Sequence, residues 1–222
     1  MHILLFHDSK LPPKNYGGIE RIVVTLAEEY TRLGHQVSVL CKKGSQLPYN
    51  VIEIPEKWDG RNVESLIPSD VEFIHSHQPL VVEPQRPYLV TIHGNGKPDE
   101  KYLANTNFLS RSHARNHGSD VYVFNGIDTQ RYTYQPHKED YYIFLARTTW
   151  RVKNLKTAIH WASDLNVRLK IIGGEGYSRG NIEYLGFVDD EVKNKVLGGA
   201  RALVYPTNWD EPCAGAPLES LA

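Results

Sequence analysis

The sequence is short of several things that would have decided its class at once. It has 2 cysteines in 222 residues, Cys41 and Cys213, far apart and without metal-type spacing, so neither a disulfide framework nor a zinc site is indicated. It has almost no net charge, -1 with histidines neutral, which argues against a nucleic-acid binder that relies on a broad basic field. No apolar run approaches the length of a membrane span. The opening MHILLFHDSK has no basic leader, and its apolar stretch is too short for a signal peptide. These absences together predict a cytoplasmic protein. The dinucleotide fingerprint G-x-G-x-x-G is also missing, which weakens a nicotinamide-cofactor reading.

What is present is a strand–helix alternation that runs twice. HILLF (2–6) reads as a buried strand, followed by a turn-rich segment. A helix comes next, with Ile19, Ile22, Val23, Leu26, Ala27, Tyr30 and Leu33 at three- and four-residue steps and Gly34 closing it. QVSVLC (36–41) is the next strand, so the chain opens on a βαβ unit and a parallel sheet. Further strands are predicted over 71–76, 88–93 and 121–124, with a short helix in 110–118. Residues 129–140 read as a linker, with no apolar periodicity. The pattern then restarts with strands over 141–146, 167–174, 181–186 and 201–206 and helices over 154–165 and 189–200. The expectation is an α/β chain of two Rossmann-like parallel-sheet domains, 1–130 and 141–222, joined by a linker over 131–140. The second starts a third helix, APLESLA, and stops, which predicts a domain truncated at its C-terminus.

The chemistry-bearing residues gather where strands end. Gly17 and Gly18 lie between the first strand and its helix, where backbone can approach a ligand and a helix N-terminus offers N–H groups to an anion. Any strand-to-helix turn can use glycine, so the pair alone is weak. The cluster IIGGEGYSRG (171–180) is open between a nucleotide-facing turn and a plain loop. Arg147 and Lys153 follow a strand at the edge where open α/β sheets bind ligands, and two cations there suit a diphosphate, although solvated surface cations are the commoner case. His93 ends a strand ahead of glycines and suits hydrogen bonding to a substrate. His75 and His77 share one strand face, and His113 and His117 stand one helical turn apart. Both spacings are metal-capable, but a structural role outweighs a metal for each. Glu211 and Glu219 bracket DEPCAGAPLESLA, with Glu219 expected in the first turn of a helix and the amides of Cys213, Ala214 and Gly215 between them as an anion nest. Carboxylates that accept hydroxyl hydrogen bonds on either side of phosphate-binding amides fit a nucleotide-sugar.

These segments, in this order, resemble the retaining glycosyltransferases of family 4, enzymes of the GT-B fold with two facing Rossmann-like domains. The family's Glu-x7-Glu motif stands here as EPCAGAPLE (211–219). GGIER (17–21), DVEFIHSHQPL (70–80), VTIHG (90–94), FNGID (124–128), FLARTTWRVKN (144–154) and IEYLGFVDDEV (182–192) are similar to the family's other motifs. The sequence departs from the pattern at Cys213-Ala214, at Pro217 and at Ala146. The resemblance implies transfer of a sugar from a nucleotide-diphosphate donor to an acceptor hydroxyl with retention of anomeric configuration. It implies that Arg147 and Lys153 hold the diphosphate, Glu211 the sugar hydroxyls near the reacting carbon and Glu219 the ribose. His93 would lie by the donor sugar as a catalytic group, and Gly17 and Gly18 would approach the donor phosphate or acceptor. No metal or other cofactor is implied. The acceptor is left as a lipid, a saccharide or a small molecule, and family members often work at the inner membrane surface, although no strongly basic amphipathic helix appears here. A nucleotide-sugar binding fragment without catalysis stands as the alternative; phosphorylase and epimerase readings rank lower, the former for want of a pyridoxal phosphate lysine.

Overall fold

A computed structural model describes every residue except Asn15, Tyr16 and Pro98. The chain divides into two compact units, Met1–Gly126 and Ile127–Ala222.

The first unit is built on a six-stranded sheet, every pair of it parallel. Its strands are β1 (His2–Phe6), β2 (Gln36–Cys41), β3 (Asn50–Glu53), β4 (Phe73–Ser76), β5 (Tyr88–Thr91) and β6 (Thr106–Asn107), in the spatial order β3-β2-β1-β4-β5-β6. β1 is apolar throughout because both faces are covered. Leu4 and Phe6 enter a core with Leu40, Ile74, Val90 and Phe108. Leu5 points the other way, into Val23, Ala27, Val37 and Val39, as the two-residue period of a strand requires. Helix α1 (Gly18–Arg32) covers that second face with Val23 and Ala27. Its end has the bonding of a Schellman motif: Gly34 at φ +85°, with the Gly34 and His35 amides donating to the carbonyls of Thr31 and Tyr30. The short helix α2 (Arg111–Asn116) is capped by the Ser110 hydroxyl.

Two expectations for this unit are corrected. Residues 121–124 do not form a strand. Only Tyr122 bridges Phe108, and Val121, Val123 and Phe124 are exposed. The sixth strand is instead Thr106–Asn107, two buried polar residues paired with β5. β3 was not expected at all; it is an edge strand only half buried, so its apolar signal is small.

In the second unit β7 (Tyr142–Leu145), β8 (Leu169–Ile172) and β9 (Ile182–Gly186) form a parallel sheet. Helix α3 (Leu155–Asp164) packs Ala158 and Ala162 on one face, against Phe144, Leu169 and Ile171. Helix α4 (Asp190–Gly199) lies with the other face, where Leu197 joins Tyr141, Ile143 and Ile172. Asp189 caps α4 by accepting from the Val192 amide, and Asp190 and Glu191 sit favourably in its first turn. Residues 201–206 run beside β7 but make one bridge, Leu203 to Ile143, rather than the expected full strand. Helix α5 spans Gly215–Leu221.

Candidate functional site

Each unit gathers polar side chains at the carboxyl edge of its own sheet.

In the second unit the cluster centres on Lys153. The chain leaves β7, makes a short 3-10 turn over Arg151–Lys153 and enters α3 through Asn154, which is left-handed at φ +56°. Asparagine tolerates that conformation better than most residues. The Asn154 amide nitrogen donates to the Pro206 carbonyl, and the Asn208 amide and Thr207 hydroxyl donate to the Val152 carbonyl. These bonds fasten the 206–208 turn to the 152–154 turn, and so bring Glu211 onto Lys153.

Lys153 is only 7% exposed. Its Nζ donates to Glu211 Oε2 at 2.5 Å and to Tyr205 Oη at 2.8 Å. The rings of Trp209, Tyr205 and Trp150 stand 5.1, 5.3 and 6.0 Å from the ammonium, within reach for cation–π attraction. Tyr205 Oη and Trp209 Nε1 also donate to Glu211 Oε2, each at 2.7 Å. Three donors thus converge on one carboxylate oxygen, and among the described residues Oε1 accepts none. Burial pushes the Glu211 carboxyl up, but the hydrogen bonds of Lys153, Trp209 and Tyr205, with the Lys153 charge, outweigh it and hold the group below its ordinary value. Glu211 is therefore an oriented carboxylate with one lobe occupied and the other available.

Arg147 follows β7, is exposed, and lies with Cζ 6.0 Å from the Trp150 ring centroid, so one indole borders both expected diphosphate cations. Glu219 is the fifth residue of α5 rather than part of its first turn, because the helix starts back at Gly215. Its Oε2 lies 2.8 Å from Lys193 Nζ of α4, an ion pair whose angles miss those of a directed hydrogen bond. Ala214 is the N-cap of α5 and Gly215 its first residue, with Cys213 just before, and no side chain hydrogen-bonds at that cap. The glycines at 173 and 174 have a structural reason. A Cβ on Gly173 would overlap the Ala146 carbonyl, and one on Gly174 would overlap Thr148. Trp150, Tyr205, Trp209 and Lys193 are new to the site. They come from separate turns and a helix: Trp150 lies inside FLARTTWRVKN, Lys193 directly follows IEYLGFVDDEV and Trp209 stands two residues before Glu211, whereas Tyr205 belongs to none of the motifs.

In the first unit the strand order brings the carboxyl ends of β1, β4 and β5 side by side, next to the point where the order reverses and open α/β sheets bind ligands. His7, His77 and His93 follow those three strands. His77 Nδ1 is 3.0 Å from His93 Nε2, and the ring of His77 lies between those of His75 and His93, with centroids 4.3 and 5.2 Å away. His75 continues inward, with Nδ1 3.0 Å from Tyr30 Oη and Nε2 2.8 Å from Thr91 Oγ1. His113 binds the Gly94 carbonyl through Nε2 at 2.9 Å and so holds the turn that carries His93. Gly17 packs where a Cβ would strike Pro13 and Glu20, whereas Gly18 faces open space. The residues Asn15 and Tyr16 of that segment lie outside the described ones. Among the described residues no group of three or more histidine, cysteine or acidic side chains is arranged to hold a metal ion.

Burial holds these imidazoles neutral, with His75 lowered to about 4, His93 to about 3 and His77 well below the ordinary 6.5. Once unfolded they titrate near 6.5, so between those values the unfolded chain binds more protons. Stability is full above pH 6.5 and falls as pH drops toward 4. The urea midpoint of unfolding is accordingly expected to decrease from pH about 7 to about 4.5, and to do so less steeply in His75→Gln. A midpoint independent of pH over that span would contradict the burial described.

No protein-family model and no curated protein sequence matches the chain. Solved structures do. AviGT4, a glycosyltransferase of avilamycin A biosynthesis, superposes with a TM-score of 0.75 at 22% identity over 99% of this chain and 75% of its own. The chain has the GT-B fold. Sucrose-phosphate synthase from Thermosynechococcus elongatus shares it at a TM-score of 0.72 and 14% identity, over 99% of this chain and 78% of that one. HepE from Anabaena, solved with UDP and glucose, shares it at 0.70 and 13%, over 99% and 77%. The chain thus spans about three quarters of the length of these proteins. No helix of the described residues is long and apolar enough to cross a membrane.

Proposed function

We propose that this protein transfers a sugar from a nucleotide-diphosphate sugar to an acceptor hydroxyl with retention of configuration. The observation that carries the reading is the Lys153–Glu211 centre at the carboxyl edge of the second sheet, at the start of the Glu-x7-Glu segment, in a chain of the GT-B fold. Neighbours of that fold solved with UDP and glucose or with ADP support a nucleotide-borne donor.

The residues divide the work by charge. In the reaction the bond from the anomeric carbon to the diphosphate breaks, a bond to the acceptor oxygen forms, and the acceptor's proton passes to the departing diphosphate. Negative charge grows on the leaving diphosphate, where Arg147 offers a planar fork and Lys153 a point charge, cations that take the part a metal ion would otherwise play. Positive charge grows at the anomeric carbon. Glu211, fixed through Oε2, offers Oε1 to the sugar hydroxyls without having to reorient. Glu219, held by Lys193, takes the ribose hydroxyls, and the first-turn amides of α5 face the phosphates. Neutral His93 gives the donor sugar a hydrogen bond rather than a proton.

A panel of UDP-, GDP- and ADP-sugars tests this, with nucleoside diphosphate release followed alone and with saccharide, lipid or small-molecule acceptors. Slow release that accelerates with acceptor is expected, and the anomeric proton coupling of the product should match that of the donor. Inverted product would overturn retention. Binding without release from any donor would favour a nucleotide-sugar binding chain.

A further inference from the structure

The histidine edge of the first unit has a proton order that can be read from its partners. Thr91 has one hydroxyl proton and gives it to Asn107 Oδ1 at 2.8 Å, and the Asn107 amide nitrogen is turned to the Phe108 carbonyl. Thr91 Oγ1 is thus an acceptor toward His75, so the single proton of that neutral ring is on Nε2. His75 Nδ1 then accepts from the Tyr30 hydroxyl. On the same reasoning His113 accepts the Leu109 amide at Nδ1 and donates from Nε2 to Gly94. Two of the histidines are therefore fixed as Nε2–H tautomers.

His77 is different. Its Nε2 is buried with no hydrogen-bond partner among the described residues. An N–H sealed away without an acceptor is rare in folded proteins. The proton of His77 therefore sits on Nδ1, which faces His93 Nε2 at 3.0 Å. His93 must accept there and carry its own proton on Nδ1. That nitrogen has no partner among the described residues and is not sealed from solvent.

We infer that His77 is a positioning residue that sets His93 as the Nδ1–H tautomer, so that His93 presents an N–H donor, and neither a lone pair nor an imidazolium, to an oxygen of the bound ligand. The proposed transfer reaction supplies only what that oxygen is, a hydroxyl of the donor sugar; the tautomer itself is a property of the protein alone. The inference also excludes His93 as the base that deprotonates the acceptor, because its one basic nitrogen is taken by His77.

Long-range proton–nitrogen correlation spectra of the 15N-histidine-labelled protein, without ligand, read this directly. Wild-type His93 is expected to show a protonated Nδ1 and a bare Nε2. His77→Asn, whose side-chain N–H can stand where Nδ1–H stood, should keep that pattern. His77→Phe, a ring with no donor, should lose it. In turnover, an orienting partner of a functional imidazole is worth about 10- to 100-fold, so His77→Phe should fall by that range and His77→Asn recover most of it. A wild-type His93 protonated on Nε2, or a pattern unchanged in His77→Phe, would overturn the proposal whatever the variants do to folding. The spectra need no donor, so the tautomer can hold even where no sugar transfer is found, and that result would count against the proposed function alone.

Discussion

Glu211→Gln is expected to lose sugar transfer by about 100- to 1000-fold, the range for removal of one preorganised electrostatic contact to a transition state. The amide keeps the shape of the carboxylate but not the charge that we propose faces the electron-poor anomeric carbon. The same substitution leaves Lys153, 7% exposed, without its counter-ion. Breaking a buried pair from one side costs about 3–5 kcal/mol, and the surrounding Trp209, Tyr205 and Trp150 rings place this case toward the lower end. Lower activity in Glu211→Gln could therefore reflect folding. Assay of Glu211→Gln well below its own melting temperature separates the two effects: a variant that stays folded by circular dichroism and still binds nucleoside diphosphate, yet does not turn over, has lost chemistry rather than fold. A Glu211→Gln protein with wild-type turnover would remove Glu211 from the reaction.

Gly173→Ala is expected to be the most damaging single-methyl change in the second unit. Gly173 sits at φ +115°, a conformation L side chains rarely adopt, and its new Cβ would meet backbone: the Ala146 carbonyl, whose carbon is 2.6 Å away, and Arg147 N at 3.2 Å. Backbone cannot swing aside as a side chain can. Overpacking costs about 1–3 kcal/mol and backbone strain of this kind about as much again. In a unit of roughly 100 residues, a loss of about 3 kcal/mol lowers the melting temperature by roughly 10–25 °C. The functional consequence follows from the contact, since relief of the clash moves the Ala146–Arg147 peptide and with it one of the two cations proposed to hold the diphosphate. Gly18→Ala, with nothing within 4 Å of its Cβ, is the control and should melt within a few degrees of wild type. A Gly173→Ala protein as stable as that control would contradict the close approach of the β7 and β8 ends.

Apolar period was enough to read β1, α1, β2, β4, β5, α3, β8 and β9 along the chain, because each buries a whole stripe or face. It failed where burial and polarity part company. Thr106 and Asn107 form a buried strand although both are polar; Thr91 reaches across to satisfy Asn107, while the Thr106 hydroxyl has no hydrogen-bond partner among the described residues. Residues 121–124 look like a strand and are mostly exposed. In the site, Glu211 and Lys153 were visible through motif spacing, but their mutual hydrogen bond was not. It arises from the 206–208 turn binding the 152–154 turn, a long-range contact that no local pattern encodes. The aromatic enclosure was hidden for the same reason, with Trp150, Tyr205 and Trp209 supplied by different turns. His7 and His77 became spatial neighbours of His93 only once the order β1-β4-β5 placed their strand ends together.

We propose that the carboxyl edge of the second sheet receives a nucleoside diphosphate carrying a sugar. Titration calorimetry of UDP, GDP and ADP into the wild-type protein and into Glu219→Ala tests it most directly. One of the three nucleotides should bind at a single saturable site, and Glu219→Ala should weaken it by about tenfold or more, the loss expected when a charged hydrogen-bonding partner of the ribose is removed. Absence of saturable binding for all three, or binding indifferent to Glu219, would contradict the account.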